Sequence, residues 1–165
     1  MARMLTTMEG DMRSSRFHPL AFVFLGAFLS ATTAAAGPKE EVAAATQKWA
    51  DTLAENKPES ILPLYAEDAV LWGTLASTVR TDRAGMRDYF VSAFAALPNL
   101  KVALGEQVIR VYGDAAVNTG NYTFSYVKVG EPKTLPARYS FTYVKKADGW
   151  IIVDHHSSAM PQPPK

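Results

Sequence analysis

Apolar residues recur every three or four positions from Pro38 to Leu97, and from residue 100 onward they alternate with polar ones. The first regime predicts helices. Pro38 suits the first turn of a helix, and Val42, Ala45, Trp49 and Leu53 form one apolar stripe, so residues 39 to 55 read as an amphipathic helix with Trp49 inward. Asn56 and Glu59 have the spacing of a capping box and start a short second helix toward Tyr65, limited by Pro63. "AVLWGT", Ala69 to Thr74, reads as a short strand. A third helix runs from Asp82 to Ala96 with Thr81 as its N-cap, its stripe made by Met86, Tyr89, Phe90, Ala93, Phe94 and Leu97, and Pro98 prevents its continuation.

The second regime predicts four strands, about 101 to 112, 115 to 128, 136 to 146 and 150 to 158. The turn signals Gly113-Asp114, Gly130-Glu131 and Asp148-Gly149 separate them. Helices followed by strands on short turns indicate an α+β fold: a curved antiparallel sheet, cone-shaped, with three N-terminal helices packed on its concave face. In the strand 115 to 128, Ala116, Asn118, Gly120, Tyr122, Phe124 and Tyr126 share the side expected to face the helices. Gly120 in mid-strand signals a bulge, a bend or a close approach.

The final strand carries the polar chemistry, in "GWIIVDHHSSAMPQ". Regular alternation puts Trp150, Ile152, Asp154, His156 and Ser158 on one side and Ile151, Val153, His155 and Ser157 on the other. On that reading His156 looks into the cone, with Asp154 about 6.6 Å away along the backbone, close enough for both to hold one ligand or a shared water. His156, Asp154 and Ser158 are therefore the expected polar contacts of a ligand, and His156 and Asp154 the candidates for proton transfer. Tyr65, Trp72, Tyr89 and Tyr122, with Phe90 and Phe124, supply an apolar lining with hydroxyl groups, or else simple core. Arg138 lies where it could bind a ligand carboxylate or pair on the surface, and Arg110 has the same two readings. Ser157 and Ser158 lack the strand-turn-helix context of a hydrolase nucleophile.

At the N-terminus Arg13, Arg16 and His18 precede an apolar run, Leu20 to Leu29, and then Ala34-Ala35-Ala36. This is the pattern of a secretory signal covering residues 1 to 36, with Met12 an alternative start. It predicts a secreted or periplasmic protein, not membrane-bound after cleavage, with residues 37 to 165 forming a single domain that ends in a short proline-rich tail. Removing Arg3, Arg13, Arg16, Glu9 and Asp11 leaves basic and acidic side chains in balance, which argues against nucleic acid as a partner. The absence of cysteine excludes disulfides, thiol nucleophiles and cysteine-ligated metals. No metal or cofactor is expected, and no glycine-rich loop follows a strand to cradle a dinucleotide.

"RYSFTYVKKADGWIIVDHHSSAMP", preceded by "IRVYGDAAVNTGNYTF" and "LYAEDAVLWGT", resembles the bacterial relatives of the calcium/calmodulin-dependent protein kinase II association domain, sometimes labelled SgcJ/EcaC-like. These sit within the nuclear transport factor 2-like, SnoaL-like superfamily. The most specific part is the last strand, where Trp150, Ile152, Val153, His156, Ser158 and Pro161 follow the pattern W-x-I-V-x-x-H-x-S-x-x-P. The resemblance implies a cone with a pocket between helices and sheet, and self-association, as a dimer or larger, through the sheet's outer face. It does not imply kinase activity. Two functions follow as expectations: an exported small-molecule-binding or oligomerisation domain, or an isomerase, cyclase or dehydratase using Asp154 or His156.

Overall fold

The structure is a computed structural model and describes residues 36–162; the expected signal segment, apart from its last residue, and the end of the proline-rich tail lie outside the described residues. The elements follow the order α1 (Pro38–Leu53), α2 (Pro58–Ile61), a 3-10 turn (Leu62–Leu64), β1 (Tyr65–Trp72), α3 (Arg83–Ala96), β2 (Lys101–Tyr112), β3 (Ala115–Lys128), β4 (Glu131–Lys146) and β5 (Gly149–Ala159). The change of hydrophobic period near residue 100 is thus a change of layer. Helix α1 presents Val42, Thr46, Trp49, Ala50 and Leu53 to the sheet, and α3 presents Met86, Phe90 and Ala93. They meet Ala116, Tyr122, Phe124, Ala137, Tyr139, Phe141, Tyr143 and Ile152 from the strands in one core. The α+β class and the curvature of the sheet, which is unclosed, are as the sequence predicts.

Four local expectations need correction. The sheet runs β1-β5-β4-β3-β2 and is mixed, because β1 pairs with β5 in parallel. A parallel pair needs a long crossover, and here α3, β2, β3 and β4 lie between the two strands. Strand β4 starts at Glu131 rather than near 136, despite Pro132 and Pro136. Its ladder with β5 ends at Ala137 opposite Ala159, followed by one bond from Met160 N to Pro136 O at 2.9 Å, so the missing N–H of either proline is tolerated at this edge. The cap of α3 is Asp82, whose Oδ1 accepts from Gly85 N at 2.8 Å, not Thr81. Asn56 does not cap α2; in left-handed backbone geometry (φ 56°) it clamps Leu100 instead, accepting from Leu100 N at 2.9 Å and donating to Leu100 O at 3.1 Å.

Two bulges shape the sheet around the site. Between Leu104 and Gln107, β2 carries one more residue than β3 does between Tyr122 and Gly120. The Glu106 carbonyl there presses so close to Gly120 that a Cβ would lie 2.2 Å from it, which is why the strand needs glycine. In β5, Ile152 faces Tyr143 while Asp154 faces Thr142, so Val153 is an extra residue. That insertion reverses the alternation of everything after it.

Candidate functional site

The bulge at Val153 decides which histidine enters the core. Ile152, His155 and Ser157 are buried, whereas Asp154 and His156 are exposed and Ser158 is half-buried. Regular alternation places His156 inward, and the structure places it on the outer face. The physical reason is the one-residue insertion, which shifts the facing by one position between Ile152 and Asp154.

His155, 4% exposed, is wedged among aromatic rings. Its ring stacks on Phe141 at 4.0 Å and meets Trp49 edge-on at 5.3 Å. Trp49 Nε1 donates to the Tyr65 hydroxyl at 2.9 Å, and that hydroxyl lies 2.8 Å from His155 Nδ1. The other ring nitrogen, Nε2, is buried without a partner. Burial, helped by the neighbouring charge of His156, pushes the imidazole pKa down to about 3, so His155 is neutral. Burial also holds Tyr65 well above the usual phenol range, against the hydrogen bond from Trp49.

A second chain of hydroxyls lies alongside. Tyr122 donates to Ser157 Oγ at 2.6 Å, and Ser157 Oγ is hydrogen-bonded to Thr74 Oγ1 at the end of β1. Burial raises Tyr122 despite the Ser157 and Thr74 contacts, so it remains a protonated donor. Gly73 lets Tyr89 fold over the strand end: a Cβ there would come within 2.0 Å of the Tyr89 ring. Deeper in, Asn118 Nδ2 donates to Thr46 Oγ1 and to Gln107 Oε1, both at 2.8 Å, and Thr46 Oγ1 donates to Val42 O at 3.0 Å. Thr46 Oγ1 also lies 2.9 Å from the Tyr143 hydroxyl, whose hydrogen completes the set.

Between α3, the β1 end and the inner sheet face lies a partly open cavity of about 20 Å³, room for about one water. Tyr89, Tyr122, His155, Ser157 and Thr74 line it together with Trp49, Phe90 and Phe124. No acidic or basic chain other than the imidazole reaches it. Of the residues expected to line a pocket, Tyr89, Phe90, Tyr122 and Phe124 do so. Tyr65 sits behind His155 as its hydrogen-bond partner, and Trp72, 44% exposed, does not line the cavity. The sequence reading missed His155 and Ser157, because their inward aspect depends on a bulge set by pairing with β4, and it missed Thr74, which it took as the end of a strand and which lies in the turn after β1.

The outer face gathers the remaining candidates. Strand register lines up Val108, Thr119, Ser140, His156 and Trp72 in one row, and Arg110, Val117, Thr142, Asp154 and Val70 in the next. Arg138 Nε donates to Ser158 Oγ at 3.1 Å, and both border a shallow depression of about 240 Å³ with Thr119, Ser140 and His156. Partial burial raises the Asp154 carboxyl above the ordinary range, while His156 pulls it down. Asp154 and His156 are therefore outside the cavity, and a proton transfer there cannot use them. Among the described residues no group of three or more His, Cys, Asp or Glu could hold a metal, and no helix is long and apolar enough to cross a membrane.

The model of the calcium/calmodulin-dependent protein kinase II association domain matches residues 38–161. A solved Xanthomonas campestris protein described as such an association domain is 36% identical, with TM-score 0.71, covering 78% of this chain and 91% of that one. The kinase hub of S. rosetta superposes with TM-score 0.63 at 20% identity, covering 77% and 100%. A Streptomyces avermitilis protein described as a dehydratase of the nuclear transport factor 2-like family gives TM-score 0.66 at 15% identity, covering 74% and 96%. These last two show a shared fold. No curated protein matches. The family model spans every element from α1 to β5, and the chain belongs to the calcium/calmodulin-dependent protein kinase II association domain family.

Proposed function

We propose that this chain is an exported self-association domain that assembles, as a dimer or larger, through the outer face of its sheet. The observation that carries the reading is the composition of that face within a family of association domains. Val108, Tyr112, Val117 and Trp72 stand among Thr119, Ser140 and Thr142, an apolar and hydroxyl-bearing surface. One row has Arg110 toward one end and Asp154 toward the other. Arg110 has no ion pair among the described residues, whose bridges are Arg83–Glu67, Arg87–Glu59 and Lys145–Glu41. A twofold axis crossing the middle of the row would bring Asp154 of each copy to Arg110 of the other, the self-complementarity that a closed dimer requires.

Sedimentation of the chain from Gly37 onward tests this. A dimer or larger species at micromolar concentration, converted toward monomer by Thr119→Arg, is the expected result. A strict monomer at high micromolar concentration would contradict it. Export is tested separately: the chain recovered from the periplasm or medium should begin near Gly37, and recovery of the whole chain from cytosol would oppose that part. The enzymatic alternative, with Asp154 or His156 moving a proton, has no support from the cavity, which neither residue lines.

A further inference from the structure

The inner cavity holds a hydrogen-bond donor that the fold itself leaves unused. Trp49 Nε1–H can only donate, so the Tyr65 oxygen accepts from it, and the single Tyr65 hydrogen has His155 Nδ1 as its acceptor. The proton of the neutral imidazole then belongs on Nε2. That nitrogen is buried and unpartnered on a side chain that lines the cavity. The hydroxyl chain holds a second hydrogen that a ligand could draw on. Tyr122 donates to Ser157, and the Ser157–Thr74 contact uses one of the two remaining hydroxyl hydrogens. The other can rest on the Tyr122 oxygen, which Thr74 also approaches, or turn to an acceptor placed in the same space.

The rest of the wall is apolar, and no carboxylate, lysine or arginine lines it. An anionic ligand would enter without a countercharge, and burial opposes protonation of the imidazole. A carbonyl oxygen, uncharged and with two lone pairs, matches two convergent donors. The cavity holds only about one water, but a surface cleft of about 220 Å³ adjoins it and shares Leu75, Tyr89 and Ala93 as lining. Leu75 is 46% exposed, so its side chain can turn toward solvent with little loss of packing.

We propose that His155 Nε2–H and the Thr74–Ser157 hydroxyls form a binding site for an uncharged carbonyl compound with an apolar body, entering from the cleft as Leu75 turns aside. This is a site on the inner face and is independent of self-association, whose failure would leave it standing. Three isosteric probes test it on the chain from Gly37 onward: acetophenone, α-methylstyrene, which lacks the acceptor, and benzoate, which adds a charge. Acetophenone should bind about tenfold or more tighter than either, the size of one buried hydrogen bond. His155→Phe should abolish that preference, and Leu75→Ala should strengthen acetophenone binding. Equal affinity for all three probes, a preference surviving in His155→Phe, or no saturable acetophenone binding by wild type and Leu75→Ala at millimolar concentration overturns the proposal. If His155→Phe does not fold, nitrogen-15 spectra of the wild-type ring decide: acetophenone must shift the His155 Nε2–H resonance, and an unmoved resonance overturns the site.

Discussion

His155 and Ser157 on one face of β5, and His156 and Ser158 on the other, are the same residue types in the same order, one position apart. The inner pair is packed among Trp49, Tyr65, Phe141 and Tyr122 and bonded to two tyrosines. The outer pair lies beside Arg138, Ser140 and Thr119 at the sheet surface. Residue chemistry does not distinguish them. A single extra residue, Val153, does, and it shows that the position of a functional side chain on a strand is a property of the pairing, not of the strand alone.

Substitution should expose the asymmetry most strongly at the inner histidine. His155→Ala removes a ring stacked on Phe141 and leaves the Tyr65 hydroxyl without its acceptor, and should destabilise the domain by about 3–5 kcal/mol in urea unfolding. A loss below about 1 kcal/mol would mean that the ring is not embedded as described.

Acid should find the same residue next. The folded imidazole, pushed down to about 3 from its ordinary 6.5, stays neutral where the unfolded one takes a proton. The unfolded state therefore binds more protons below about pH 6.5, and stability should fall by up to about 1.4 kcal/mol per pH unit. Glu41, held below 4.5 by hydrogen bonds from Lys145 and Trp150, Glu59, by a backbone hydrogen bond and Arg87, and Glu67, by Arg83, add losses of the same sign only at lower pH. Asp154, with its raised pKa, acts in the opposite direction. Between pH 6.5 and 4.5 the slope should thus be His155's, and it should flatten in His155→Phe.

Gly120→Ala probes the other bulge. Its new Cβ would meet the Glu106 carbonyl, a backbone group that cannot swing away, and about 2 kcal/mol of stability should be lost. The smallest effect belongs to the outer histidine: His156→Ala should change unfolding of the dissociated chain by less than about 0.5 kcal/mol. A loss as large as that of His155→Ala would erase the distinction between the faces.

The layers were legible in the sequence because hydrophobic period reports burial locally: Trp49, Phe90 and Tyr122 fall inward where the stripes place them. Gly120 announced a close approach for the same local reason. Val153 announced nothing, since a β-branched residue suits a regular strand, and its bulge exists only in relation to Thr142 and Tyr143 on another strand. The parallel pairing of β1 with β5 is equally non-local. Hence the aromatic lining at Tyr89 and Tyr122 could be read, while the polar centre was assigned one residue away from its place.

Nitrogen-15 NMR titration of the two imidazoles tests the inward, neutral His155 most directly. The account predicts a His155 ring that stays neutral, protonated on Nε2, down to at least pH 5. A His155 resonance that titrates near 6.5, or carries its proton on Nδ1, would contradict it.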